Sequence, residues 1–85
     1  MSRKKVIDYQ LVQFGKRVRA LRKRKGFTSA EKFAYQNEIN RVQYGRYENG
    51  SDLRLSSFFN LLIALDISPA EFFSEGFDMQ NLEKD

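Results

Sequence analysis

The 85-residue chain contains no cysteine and no histidine. The first absence excludes a disulfide scaffold and thiolate metal sites, and suits a reducing compartment. The second removes histidine zinc ligands and the commonest acid–base side chain at neutral pH. There is no Gly-rich phosphate loop and no carboxylate pair at a recognisable site spacing. Enzymatic activity, a cofactor and a metal are therefore not expected. Nor is there an apolar run of the roughly 18 residues that a membrane span needs, or a secretory leader pattern after the basic start. The expected setting is cytoplasmic.

What is present is a core-forming composition. Hydrophobic residues make up 41% of the chain, with eight Phe and four Tyr, which is too much for a disordered tail. A chain of this length forms one small domain, since two separate cores need more than about 100 residues. The net charge of +4 conceals a gradient. Residues 1–25 hold ten Lys/Arg against one acid, residues 26–54 hold four of each sign, and residues 55–85 hold one base against six acids. Such asymmetry points one face at a polyanion.

Apolar periodicity divides the chain into helices. Ile7, Leu11, Phe14, Val18 and Leu21 recur every three or four residues and predict a helix over 8–25. Asp8 is the expected N-cap and Gly26 the C-terminal stop, with Lys16, Arg17, Arg19, Lys23 and Arg24 largely on the other faces. Thr28-Ser29 opens a short helix over 30–36 with Phe33 inward. Asn37-Glu38-Ile39 reads as a tight turn, with Asn37 supplying the positive φ. Asn40 then caps a second short helix over 41–48, closed by Asn49-Gly50. Two helices of two turns, joined by about three residues, have helix-turn-helix geometry. Residues 55–65 are apolar around most of the circumference and predict a central, buried helix. Ser68-Pro69-Ala70-Glu71 starts a last helix, carrying Phe72 and Phe73 and ending near Gly76.

The expectation is an all-α, compact five-helix domain with a helix-turn-helix at its second and third helices. It divides into a basic arm (1–6), the helix-turn-helix domain (7–76) and an acidic tail (77–85) whose last residues are expected to be mobile. The arm, 2–5 in particular, is expected to be disordered or to lie in a minor groove.

The pattern resembles the lambda-repressor-like helix-turn-helix family (phage repressor, Cro and XRE-type regulators). The residues that carry the resemblance are Gly26-Phe27-Thr28 leading to Phe33-Ala34, Ile39-Asn40-Arg41, Arg46-Tyr47-Glu48-Asn49-Gly50, and 61–67. It covers roughly residues 12–73. It implies that a recognition helix at about 40–48 enters the major groove of double-stranded DNA while the preceding helix crosses the backbone. At 100° per residue, Arg41, Val42, Gly45, Arg46 and Asn49 share one side of that helix, and Tyr44 and Tyr47 the opposite side. One face is basic and hydrogen-bonding, the other aromatic.

Base reading is therefore expected from Arg41, Val42, Gln43, Gly45 and Arg46. A guanidinium pairs with two guanine acceptors, and Val42 offers methyls to thymine. The alternative for both arginines is a solvated face touching only phosphates. Gly45 permits close approach either to the groove floor or to the preceding helix. Phosphate contacts are expected from Thr28, Ser29, Ala30, Asn40, Asn49, Arg24 and Arg54. Arg24 and Arg54 serve equally as solubilising charge. The resemblance further implies a structural ion pair between Arg22 and Glu48. Three departures from the family pattern stand out. Ala30 replaces the usual Gln, the stretch from Gly26 to Ala34 is one residue longer, and Glu38 occupies a common glycine position.

Family members of this size usually bind as dimers. Phe58-Phe59 and Phe72-Phe73 are adjacent pairs that one helix cannot turn wholly inward, so Phe59, Phe73 and Phe77 are candidate interface residues. The expected function is that of a homodimeric, sequence-specific DNA-binding transcription regulator. The alternative is an antitoxin-like module that neutralises a partner protein and also binds its own promoter, which a co-purifying partner on the Phe-rich face would reveal. A membrane or acidic-protein binder using the first helix alone is disfavoured, because that helix's apolar face is needed for the core.

Overall fold

A computed structural model describes residues 2–78, and every regular element among them is helical: α1 (Arg3–Arg24), α2 (Ala30–Gln36), α3 (Arg41–Glu48), α4 (Leu55–Leu65) and α5 (Pro69–Phe72). Short polar side chains start four of them, α1, α2, α3 and α5, by accepting otherwise orphaned amides. Ser29 Oγ accepts from Lys32 N at 3.2 Å, Asn40 Oδ1 from Gln43 N at 3.0 Å, and Ser68 Oγ from Glu71 N at 3.1 Å. α1 to α4 all stop in the same way, on a left-handed residue: Gly26, Glu38, Gly50 and Asp66. The amide after each one folds back onto the helix. Ile39 N donates to Ala34 O at 2.9 Å and Ser51 N to Arg46 O at 3.0 Å. In the turn between α2 and α3 the positive φ thus falls on Glu38 (57°), while Asn37 stays at −102°.

α1 begins five residues earlier than its apolar pattern suggests. Arg3 to Ile7 contains no helix breaker, and Ser2 is the first side chain able to cap, accepting from Lys5 N at 3.2 Å. Asp8 lies inside the helix and pairs with Lys4 Nζ one turn back, at 2.9 Å. Residues 3–5 are therefore the first turn of α1 and not a disordered arm. Ile7 is exposed, because the first side chain to enter the core is Phe14.

The core draws Phe14, Val18 and Leu21 from α1, Phe33 and Ala34 from α2, and Tyr44 and Tyr47 from α3. α4 adds Phe58, Leu61, Leu62, Ala64 and Leu65, and α5 adds Phe72. Two runs of aromatic rings link these elements. One passes from Phe27 through Phe33 and Tyr44 to Tyr47, the other from Phe14 through Phe58 and Phe72 to Phe73 and Phe77.

Three further expectations change. α4 is not buried all round: Leu55, Phe59 and Ile63, four residues apart, form an exposed stripe. α5 is a single turn that ends at Phe72, well short of Gly76. Phe77, the first residue of the expected acidic tail, packs its ring 4.9 Å from Phe73 and 5.9 Å from Phe72. Residues 79–85, the rest of the expected acidic tail, lie outside the described residues.

Arg17, expected on the outer faces of α1, is buried. Its Nε donates to Phe72 O at 2.8 Å, its Nη2 to Glu71 O at 2.9 Å, and its Nη1 reaches Glu75 Oε2 at 3.3 Å. Lys25 Nζ likewise donates to Ala64 O at 3.0 Å. Two charges of the basic front end thus satisfy terminal carbonyls of α5 and α4.

Candidate nucleic-acid interface

α3 is fixed from behind so that its other face is free. Tyr44 is 1% exposed and Tyr47 4%, with the Tyr44 ring 5.2 Å from Phe33 of α2. On the α1 side the contact is backbone on backbone. A β-carbon on Gly15 would run into the Glu48 carbonyl, lying 2.8 Å from its carbon and 3.0 Å from Gly50 N. Gly50, at φ 85°, has the same constraint against Leu11 O, at 3.0 Å. Gly15 has no counterpart in the expected site. A lone glycine within a strong helical pattern, which costs about 1 kcal/mol relative to alanine, was the available signal of close approach.

A buried ion pair locks the same end of α3. Arg22 Nε donates to Glu48 Oε2 at 2.7 Å and Arg22 Nη2 to Glu48 Oε1 at 3.2 Å, and both side chains are almost wholly buried. Arg22 Nη1 donates to Phe27 O at 2.8 Å, which ties in the loop before α2. Arg19, half exposed, adds a contact to Glu48 Oε1 at 3.3 Å. Burial alone would raise the Glu48 carboxyl, but the hydrogen bonds and charge of Arg22 outweigh it and hold the group below its ordinary value. The hydrogen bond to Glu48 likewise raises Arg22. Burial, reinforced by neighbouring Glu48, lifts the Tyr44 phenol well above its usual range, so it stays protonated. Arg22 and Glu48 are thus consumed in holding α3 to α1.

On the outer face, Arg41, Val42, Gln43, Arg46 and Asn49 are exposed. Arg41, Val42, Gly45, Arg46 and Asn49 border one open cleft together with Ala30 and Glu31 of α2. A second cleft gathers Asn40, Val42, Gln43 and Arg46 with Asp52, Arg54 and Ser57. Arg54 therefore joins the α3 residues, whereas Arg24, Thr28 and Ser29 line neither cleft. The Ser29 hydroxyl is already engaged as the cap of α2. A β-carbon at Gly45 would meet nothing within 4 Å, so packing against α2 does not explain this glycine. Within the first cleft, Arg41 Nη1 stands 3.7 Å from Glu31 Oε2, a contact the sequence did not indicate.

These features define a class: a five-helix domain whose third helix is anchored on its aromatic side and presents a basic, amide-bearing face beyond the turn from the second. Neither a family model nor a curated protein matches the chain. Among solved structures it is similar to the restriction-modification controller protein C.AhdI from Aeromonas hydrophila. The two share 40% sequence identity over 75% of this chain and 97% of that one, with a TM-score of 0.67. The chain belongs to the family of that controller protein, a helix-turn-helix family of the lambda-repressor-like type. No helix among the described residues is long and apolar enough to cross a membrane.

Proposed function

We propose that the protein is a sequence-specific double-stranded-DNA-binding transcription regulator that controls a restriction-modification system and acts as a homodimer. The observation that carries this reading is the division of α3, with Tyr44 and Tyr47 buried and Arg41, Val42, Gln43, Arg46 and Asn49 exposed. In this reading α3 enters the major groove. Arg41 and Arg46 pair with guanine edges, and Val42 and Gln43 contact neighbouring bases. Asn40, Asn49 and Arg54, at the ends of α3 and the start of α4, take backbone phosphates. The identity to a restriction-modification controller over nearly its whole length supports the regulatory role. The exposed stripe of α4 supports self-association, and no observation specifically favours an antitoxin-like partner.

Selection of sites from random duplexes, followed by titration of the selected site, tests the reading. Affinity should fall steeply and log-linearly with salt, as released counterions require. Arg41→Ala should lose discrimination at one base pair, by roughly 1–3 kcal/mol, while Asn49→Ala should weaken all duplexes alike. An Arg41→Ala protein that keeps the full sequence preference would remove this face of α3 from base reading.

A further inference from the structure

A carboxylate is out of place on a surface that meets phosphates, yet Glu31 stands on this one. It is the second residue of α2, and its side chain is 71% exposed, as is that of Arg41 across the cleft. Nη1 of Arg41 and Oε2 of Glu31 are 3.7 Å apart, an ion pair longer than a hydrogen bond. An exposed pair of this kind adds little to folding. The first turn of α2 does favour an acid through the helix dipole, but that benefit does not depend on reaching Arg41. What the pair can bias is the direction of Arg41. A guanidinium presents five N–H donors around a planar fork, so one edge can rest on a carboxylate while another is offered to a base. Arg41 is the first residue of α3 and has no turn of its own helix before it, and Glu31 is the acidic neighbour across the cleft that stands within ion-pair distance of it.

We propose that Glu31 is a positioning residue for base reading. Its carboxylate holds one edge of Arg41 so that the other edge faces guanine. Its charge, standing at the DNA face, weakens binding to duplexes that offer Arg41 no such base. The inference rests on the reading that α3 lies in the major groove, and it concerns specificity more than affinity.

The test uses the full chain at fixed salt, with fluorescence anisotropy on three duplexes. These are the selected site, the same site changed at the base pair that Arg41→Ala ceases to discriminate, and a random sequence. Glu31→Gln should tighten the random duplex about threefold, as loss of one repulsive charge near phosphates predicts. It should also reduce preference for the selected site at least about threefold. Glu31→Asp keeps the charge at the helix terminus but shortens the reach; it should lose the preference while leaving random binding low. In an Arg41→Ala background, Glu31→Gln should no longer alter preference. Both positions are exposed, and thermal melts should show the variants folded. If Glu31→Gln or Glu31→Asp keeps the parent preference while Arg41→Ala loses it, the positioning role is wrong and the reading of α3 stands. If Arg41→Ala itself keeps the preference, both are overturned.

Discussion

Gly45 is the fifth residue of the eight-residue α3 and has no packing reason to be glycine, since open space surrounds the place of its missing β-carbon. In a helix interior that choice costs about 1 kcal/mol relative to alanine. Gly45→Ala should therefore raise the unfolding free energy by about 1 kcal/mol, measured by urea denaturation. In the proposed complex the same methyl faces the duplex. Its intrusion should lower affinity for the selected site about tenfold, within the range for one overpacked methyl. Opposite signs for stability and binding are what a glycine kept for a ligand produces. A variant that is more stable and binds as before would take Gly45 out of the interface. Glu38 shows the converse at residue scale. Its φ of 57° lies where side chains are strained, and the strain persists because the amides of Glu38 and Ile39 close α2 and set the angle of α3.

At the scale of elements, the attachment of α3 to α1 has a pH signature. A carboxyl with a lower pKa in the folded than in the unfolded state contributes stability above its unfolded value, about 4.3 for Glu, and gives it up as pH falls through the folded value. Glu48 is such a group. The protein should therefore hold a plateau of melting temperature near neutrality and lose stability below about pH 4. Glu48→Gln should be destabilised by about 3 kcal/mol at pH 7, because it leaves the Arg22 charge buried without its counter-ion. The gap to the parent should narrow in acid, which parallel melts between pH 7 and pH 3 would show; a gap independent of pH would mean that Glu48 is not ionised in the fold.

The frame of α3 was legible in the sequence because its determinants are local: the Asn40 cap, the Asn49-Gly50 stop, and the tyrosines three apart. The exposed side of α4 was not, since a helix apolar all round does not say which face its neighbours will cover. The burial of Arg17 is illegible for the same reason, its partners being carbonyls more than fifty positions away. The exposed face of the candidate site could be read from 100° periodicity. The Glu31–Arg41 contact could not, because it depends on how two helices cross.

The whole molecule has two surfaces of opposite character. The α3 clefts gather Arg41, Arg46 and Arg54. α4 and the turn after it gather Phe59, Leu62, Ile63, Ile67 and Pro69 around a shallow apolar groove, beside exposed Leu55 and Phe73. Ile63, 78% exposed, is a branched aliphatic side chain at the C-terminal end of the α4 stripe and on the groove, where a monomer gains nothing from it. Self-association through a two-fold axis would bring the same stripe from each copy together, and would place two α3 helices on one duplex. Ile63→Glu adds a like-charge pair across such an axis without touching the core. The variant should fold with parent-like melting, and its light-scattering mass should drop to that of the 10.0 kDa chain. On duplexes with two half-sites it should lose roughly 100-fold in affinity, the advantage of linked binding, yet match the parent on a single half-site. A dimer that survives Ile63→Glu would place self-association elsewhere. A loss on single half-sites too would mean that the substitution reaches α3 through the core, and the second measurement distinguishes that outcome from loss of the dimer.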